Sequence, residues 1–183
     1  MTRFPILADQ DMTPRQRAVA EAIASGPRGG VRGPFIALLH NPALTERVQA
    51  LGEHLRFGTG IPDTLIELAI LVVARHWNCR HEWYAHEKLA RKAGLAPAII
   101  DAIAENRTPG DMTEHEALVY GFSLDTVTRG EPADTAFAAA QQAFGLDGVL
   151  DLLALCGYYS MLAFVLNTAR FAVPDDGGRP LPV

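Results

Sequence analysis

The chain of 183 residues is poor in cysteine, with only two, and aromatic residues make up just 8% of it. Two thiols, Cys79 and Cys156, give no disulfide framework, so the fold must rest on a packed core. Cationic runs are missing as well: 16 Lys and Arg are scattered among 21 acids, and the net charge is -5. A chain of that sign lacks the basic patch a phosphate backbone requires, which argues against nucleic acid as the main partner. The opening MTRFPILADQDM has no long apolar run of the secretory kind, and the cytoplasm is the expected compartment. Strand signals are scarce too, since alternating apolar and polar runs bounded by turn residues do not recur.

Helix signals are what remain. Apolar residues are 49% of the chain, ample for the core of one domain. Thr13-Pro14-Arg15-Gln16 is a capping box with Pro at the first helical position, opening a helix to about Ser25. Beyond a Gly- and Pro-rich loop over 26–34, Asn41-Pro42 starts a second helix, to about Phe57. A third is expected from Pro62 to near Trp77. Asn78 then breaks the chain before a helix from about Cys79 to Ala93, stopped by Gly94. Further helices are expected from Pro97 to Glu105 and, behind the capping box at Thr113, to Arg129. The last two are expected over 134–144, ended by Gly145, and over 147–170. The tail beyond 170 is too rich in Pro and Gly for a helix and is expected to lie extended over a neighbour or partner.

The expected fold is therefore all-α. It reads as a single domain with an N-terminal helical extension to about residue 60 and a motif-bearing core over 62–170. The apolar stretch from Gly148 to Asn167 invites a membrane reading. Asp151, Gly157 and Tyr158-Tyr159-Ser160 interrupt it, and no Lys/Arg cluster marks either end, so it reads as a helix buried in a core.

Reactive chemistry is concentrated between residues 67 and 86. Leu65 to Ala74 is apolar on every face except Glu67, which makes this a central helix with a carboxylate held inside. Cys79, Glu82 and His86 follow at i, i+3 and i+7, two turns along one face of the next helix. A thiol, two carboxylates and an imidazole on neighbouring surfaces suffice for proton transfer and for nucleophilic attack. Trp77, His81 and Trp83 are candidates to wall a substrate pocket, with core packing the alternative for the aromatics. Cys156, between Leu155 and Gly157, reads as a small core residue. No Cys-x-x-Cys or His-x-x-x-His accompanies Glu82 and His86, so no metal site is expected, and no organic cofactor is called for.

Glu67, Cys79, Glu82 and His86, set in WNCRHEWYAH and followed by Gly94-Leu95, resemble the motif of the carboxymuconolactone decarboxylase superfamily. That superfamily includes the alkylhydroperoxidase D-like proteins. The resemblance is strongest from Pro62 to Ile103 and continues in YYSMLAFVLN and FAVP. It implies an all-helical bundle that assembles into trimers or hexamers, with sites for small molecules near the subunit interfaces.

In the peroxidase branch two motif cysteines work together, one attacking peroxide and the other resolving it to a disulfide. Glu82 stands at the place of the second, so that disulfide cannot form here. The decarboxylase branch does without the pair and keeps an acid and a His at similar separation. The resemblance therefore implies a decarboxylase-like enzyme acting on a lactone or keto acid, with Glu67 and His86 moving a proton and Cys79 and Glu82 joining or shaping the site. One alternative is a one-cysteine peroxidase, with the Cys79 thiolate favoured by His81, His86 or the helix N-terminus. Another is a non-catalytic oligomeric scaffold that binds a ligand.

Overall fold

The structure is a computed structural model that describes residues 2–174 and residue 181. A 3-10 turn at Asp9–Asp11 precedes eight helices: α1 Pro14–Ser25, α2 Pro34–Leu38, α3 Pro42–Phe57, α4 Asp63–His76, α5 Arg80–Lys92, α6 Pro97–Ala104, α7 Glu114–Arg129 and α8 Asp134–Ala169. No strand occurs among the described residues.

Local chemistry sets most of these boundaries. Thr13 Oγ1 accepts from the Gln16 N–H at 3.3 Å, while the Gln16 side chain accepts from the Thr13 N–H at 2.9 Å. Thr113 and Glu116 repeat this reciprocal box at the start of α7. Each such cap is worth about 1 kcal/mol. Pro at the first position opens α1, α3 and α6, where its missing N–H costs nothing.

One element departs from the expected pattern, and the C-terminal pair follows it. The five-residue α2 forms where no helix was expected, because Phe35, Ala37 and Leu38 are drawn into the core, giving a short turn of helix a tertiary reason to exist. The two expected C-terminal helices are both present within α8, separated at Gly145, whose backbone is not helical (φ 70°, ψ 177°). That backbone conformation is open essentially to glycine alone.

The bundle is built around α4. Every residue from Leu65 to Ala74 is buried, and α4 packs on α5, α6, α7 and α8. A helix apolar all round finds no stable position except at the centre. By length and composition α8 could cross a membrane; half of its most apolar window is buried within the fold. Leu152, Leu155, Leu162 and Leu166 are among the α8 residues that pack inward.

Close approach of α3 to α8 depends on Gly52. A Cβ there would lie 2.1 Å from Tyr158 Oη and 2.4 Å from Arg28 Nη2. Gly52→Ala gains about 1 kcal/mol of helix propensity, and overpacking a filled contact costs about 1–3 kcal/mol. Tyr158 is only 3% exposed and has little room to swing aside, so overpacking should win. A fall of about 1 kcal/mol in unfolding free energy is expected from urea melts; a midpoint at or above that of the wild type would contradict this account.

Candidate active site

The central helix presents Glu67 to α5, which carries Glu82 and His86 one turn apart. His86 Nδ1 lies 2.6 Å from Glu67 Oε2 and its Nε2 lies 3.3 Å from Glu82 Oε2. The three side chains are between 5% and 8% exposed. Carboxylate oxygens can only accept, so a ring facing one at each nitrogen is best satisfied when both nitrogens carry protons. Burial by itself lowers the His86 pKa, but the Glu67 charge and the hydrogen bonds to Glu67 and Glu82 outweigh it, raising it to about 9. His86 is therefore an imidazolium at neutral pH, a proton source rather than the base expected of a free histidine.

Two neighbours complete the network. Arg56, in the last turn of α3, places Nη2 3.7 Å from Glu67 Oε1, an ion pair longer than a hydrogen bond, with its guanidinium over the Phe57 ring. Tyr159 of α8 meets the His86 ring edge-on at 5.0 Å, and burial pushes its phenol well above the usual range, so it stays neutral. The adjacent Tyr158 hydroxyl lies 3.4 Å from Arg28 Nη2. None of these four was among the residues singled out from the sequence. Arg56 ends a helix outside the motif, and the tyrosines sit in an apolar run, so no local spacing pointed to them.

One oxygen in the network is left over. Glu82 Oε1 is buried and has no hydrogen-bond partner. A buried acceptor without a partner costs about 1–3 kcal/mol, and in native proteins such a group marks a place for water, a ligand or a reacting proton.

Cys79 is placed differently from the expected nucleophile. It sits at the N-cap of α5, fully buried against Ala163 and Leu166, with Trp77 and Phe171 alongside. Burial pushes its thiol up to about 12; the backbone N–H groups of Glu82 and His81 only partly oppose this, and the Glu82 charge adds to it. The expectation of a thiolate favoured by a histidine is thus overturned. Burial lowers the pKa of His81, which leaves it neutral and supplies no cation, while the His86 charge already faces two carboxylates. No described hydrogen bond joins the thiol to the side chains of Glu67, Glu82 or His86.

The candidate pocket residues separate as well. Trp83 lies in the main core, almost fully buried. Trp77 braces the end of α4 against α8, donating from Nε1 to Ser160 Oγ at 2.8 Å and meeting the Phe164 ring edge-on. Neither aromatic lines the two cavities described next, and Trp83 Nε1 is buried without a hydrogen-bond partner. His81 lines a cavity of about 370 Å³ together with Arg80, Asn167 and Phe171. A larger one of about 560 Å³ lies between α4, α6 and α7. Neither cavity is lined by Glu67, Glu82 or His86. We locate the site by its chemistry rather than by cavity size: three coupled acid–base groups and an open acceptor are concentrated nowhere else among the described residues.

An all-α bundle around a buried Glu–His–Glu network defines the class of this protein. Its fold matches that of an uncharacterized peroxidase-related protein from Ralstonia eutropha, solved as an alkylhydroperoxidase AhpD core. The TM-score is 0.79 over 96% of this chain and 93% of the other, at 18% identity, a likeness of fold alone. Residues 42–119 match the carboxymuconolactone decarboxylase family, a span that contains Arg56, Glu67, Glu82 and His86. No curated protein matches the chain. The bundle thus resembles the AhpD-like fold, and over residues 42–119 the chain is similar to the carboxymuconolactone decarboxylase family.

Proposed function

We propose that the protein is an enzyme of acid–base chemistry, decarboxylase-like, acting on a lactone or keto acid. The observation that carries this reading is the His86 ring held between Glu67 and Glu82 beside one unpartnered carboxylate oxygen. Glu67 fixes the ring through Nδ1 and sustains its charge. His86 is the acid, giving up the proton on Nε2, and Glu82 receives or relays a proton through Oε1. In a β-keto acid the bond to the carboxylate breaks, CO₂ leaves, and the electron pair moves onto the carbonyl oxygen. The His86 proton quenches the resulting enolate at carbon, and solvent returns a proton to the imidazole.

Substrate would approach from the α3 side, where Arg56, at 18% exposure, is the most accessible member of the network. A homo-oligomer of three or six chains is part of the same proposal. Its support is the set of large apolar side chains exposed on α3 and α8: Leu44, Leu51, Phe57, Leu146 and Leu150. Against the one-cysteine peroxidase stand the enclosure of its thiol and the raised thiol pKa.

The test is CO₂ release from a panel of β-keto acids and unsaturated γ-lactone acids. His86→Ala and Glu82→Gln are each expected to lower kcat about 10²–10⁴-fold, with far-UV circular dichroism unchanged. Full activity in both variants would sink the assignment.

A further inference from the structure

Away from the His86 network, the cavity of about 560 Å³ between α4, α6 and α7 has chemistry of its own. Val72, Ile103, Tyr120 and Leu124 give it apolar walls, and no acidic residue lines it. Its volume falls in the range of small-molecule sites, which are largely apolar with a few placed polar groups.

The polar group that matters is Arg75. Its Nε is buried without a hydrogen-bond partner, while Nη1 donates to Asn78 Oδ1, which orients the guanidinium plane. Among the described residues no carboxylate forms a salt bridge with Arg75, whereas the second cation on the wall, Arg107, is matched by Glu105 at 2.6 Å. His76 on the rim adds no charge at neutral pH, since burial lowers its pKa. The cavity therefore carries one uncompensated positive charge.

We propose that this cavity is a second small-molecule site, taking an organic monocarboxylate with its acid group on Arg75 and its apolar body against Ile103, Tyr120 and Leu124. A single fixed guanidinium offers a fork for one carboxylate. A dianion such as phosphate would leave charge unpaired against apolar walls, where it is costly. The site shares no residue with the Glu67–His86–Glu82 network and stands whether or not that network is catalytic.

Benzoate is the probe, titrated into the full-length protein and followed by the methyl NMR signals of Ile103 and Leu124. Saturable shifts at these residues are expected, with benzamide binding at least about tenfold more weakly for want of the charge-assisted pair. Arg75→Gln should weaken benzoate by about tenfold or more, and Leu124→Trp, which fills the cavity without touching Arg75, should abolish binding. Glu82→Gln should leave it unchanged. The proposal is overturned by any of three results: no saturable shift, equal affinity in wild type and both folded cavity variants, or shifts centred on His86 that vanish in Glu82→Gln. Displacement of benzoate by inorganic phosphate at equal affinity would equally overturn it, because the site would then recognise a bare anion.

Discussion

The unfolding free energy should fall by on the order of 3 kcal/mol as pH rises from 6.5 to about 9. The folded-state pKa of His86 is raised to about 9 from an ordinary 6.5. The folded protein thus holds a proton between these values that the unfolded chain has released. Stability from this group is fully present below pH 6.5 and is lost as pH climbs through 9. Glu67 from α4, Glu82 from α5 and Tyr159 from α8 face the ring, Arg56 from α3 pairs with Glu67, and the two carboxylates set the sign. Urea unfolding at pH 6.5, 7.5 and 9, with His86→Gln subtracted, isolates the contribution. A difference that stays flat across that range would refute the charged-imidazole account. In Glu67→Gln the strongest opposing charge is gone, burial then dominates, and the imidazole should titrate below 6.5 when followed by NMR.

Cys79 should not react with hydrogen peroxide in the folded protein at pH 7. A thiol with pKa about 12 is ionised in roughly one molecule in 10⁵ at that pH, about a thousandfold less than one of pKa 9. Enclosure by Ala163, Leu166 and Trp77 also denies peroxide an approach to the sulfur. Intact-protein mass spectrometry after peroxide and dimedone should find no sulfenic adduct in the native protein. The same treatment in urea should give one that disappears in Cys79→Ser. A fast native adduct dependent on Cys79 would restore the one-cysteine peroxidase and displace His86 from the centre of the chemistry.

These two expectations mark where the sequence was legible and where it was not. The capping boxes at Thr13 and Thr113 and the all-round apolar run of α4 are local signals, and the elements they announce are present. Glu67, Glu82 and His86 could be paired from spacing, because i, i+4 neighbours on one helix must meet and a lone acid in an apolar helix must find a partner. Burial is a different matter. Whether Cys79 faced the imidazole or turned into α8 depended on how α8 packs, which no spacing within 67–86 encodes. Trp83 and Trp77 were ambiguous between core and pocket for the same reason. Arg56 and Tyr159 reach the network from helices distant in sequence, and only the assembled bundle brings them there.

The sealed position of His86 has a consequence for spectroscopy. Protons on ring nitrogens that are held by carboxylates and shielded from water leave the molecule slowly. Two low-field N–H resonances should therefore persist in water at neutral pH, where those of exposed imidazoles are exchange-broadened beyond detection. Each lies along a different arm of the clamp, one toward Glu67 and one toward Glu82. A ligand that takes the Glu82 arm would shift or bleach one line and spare the other, so the protein carries its own reporter of which side of the ring is being approached.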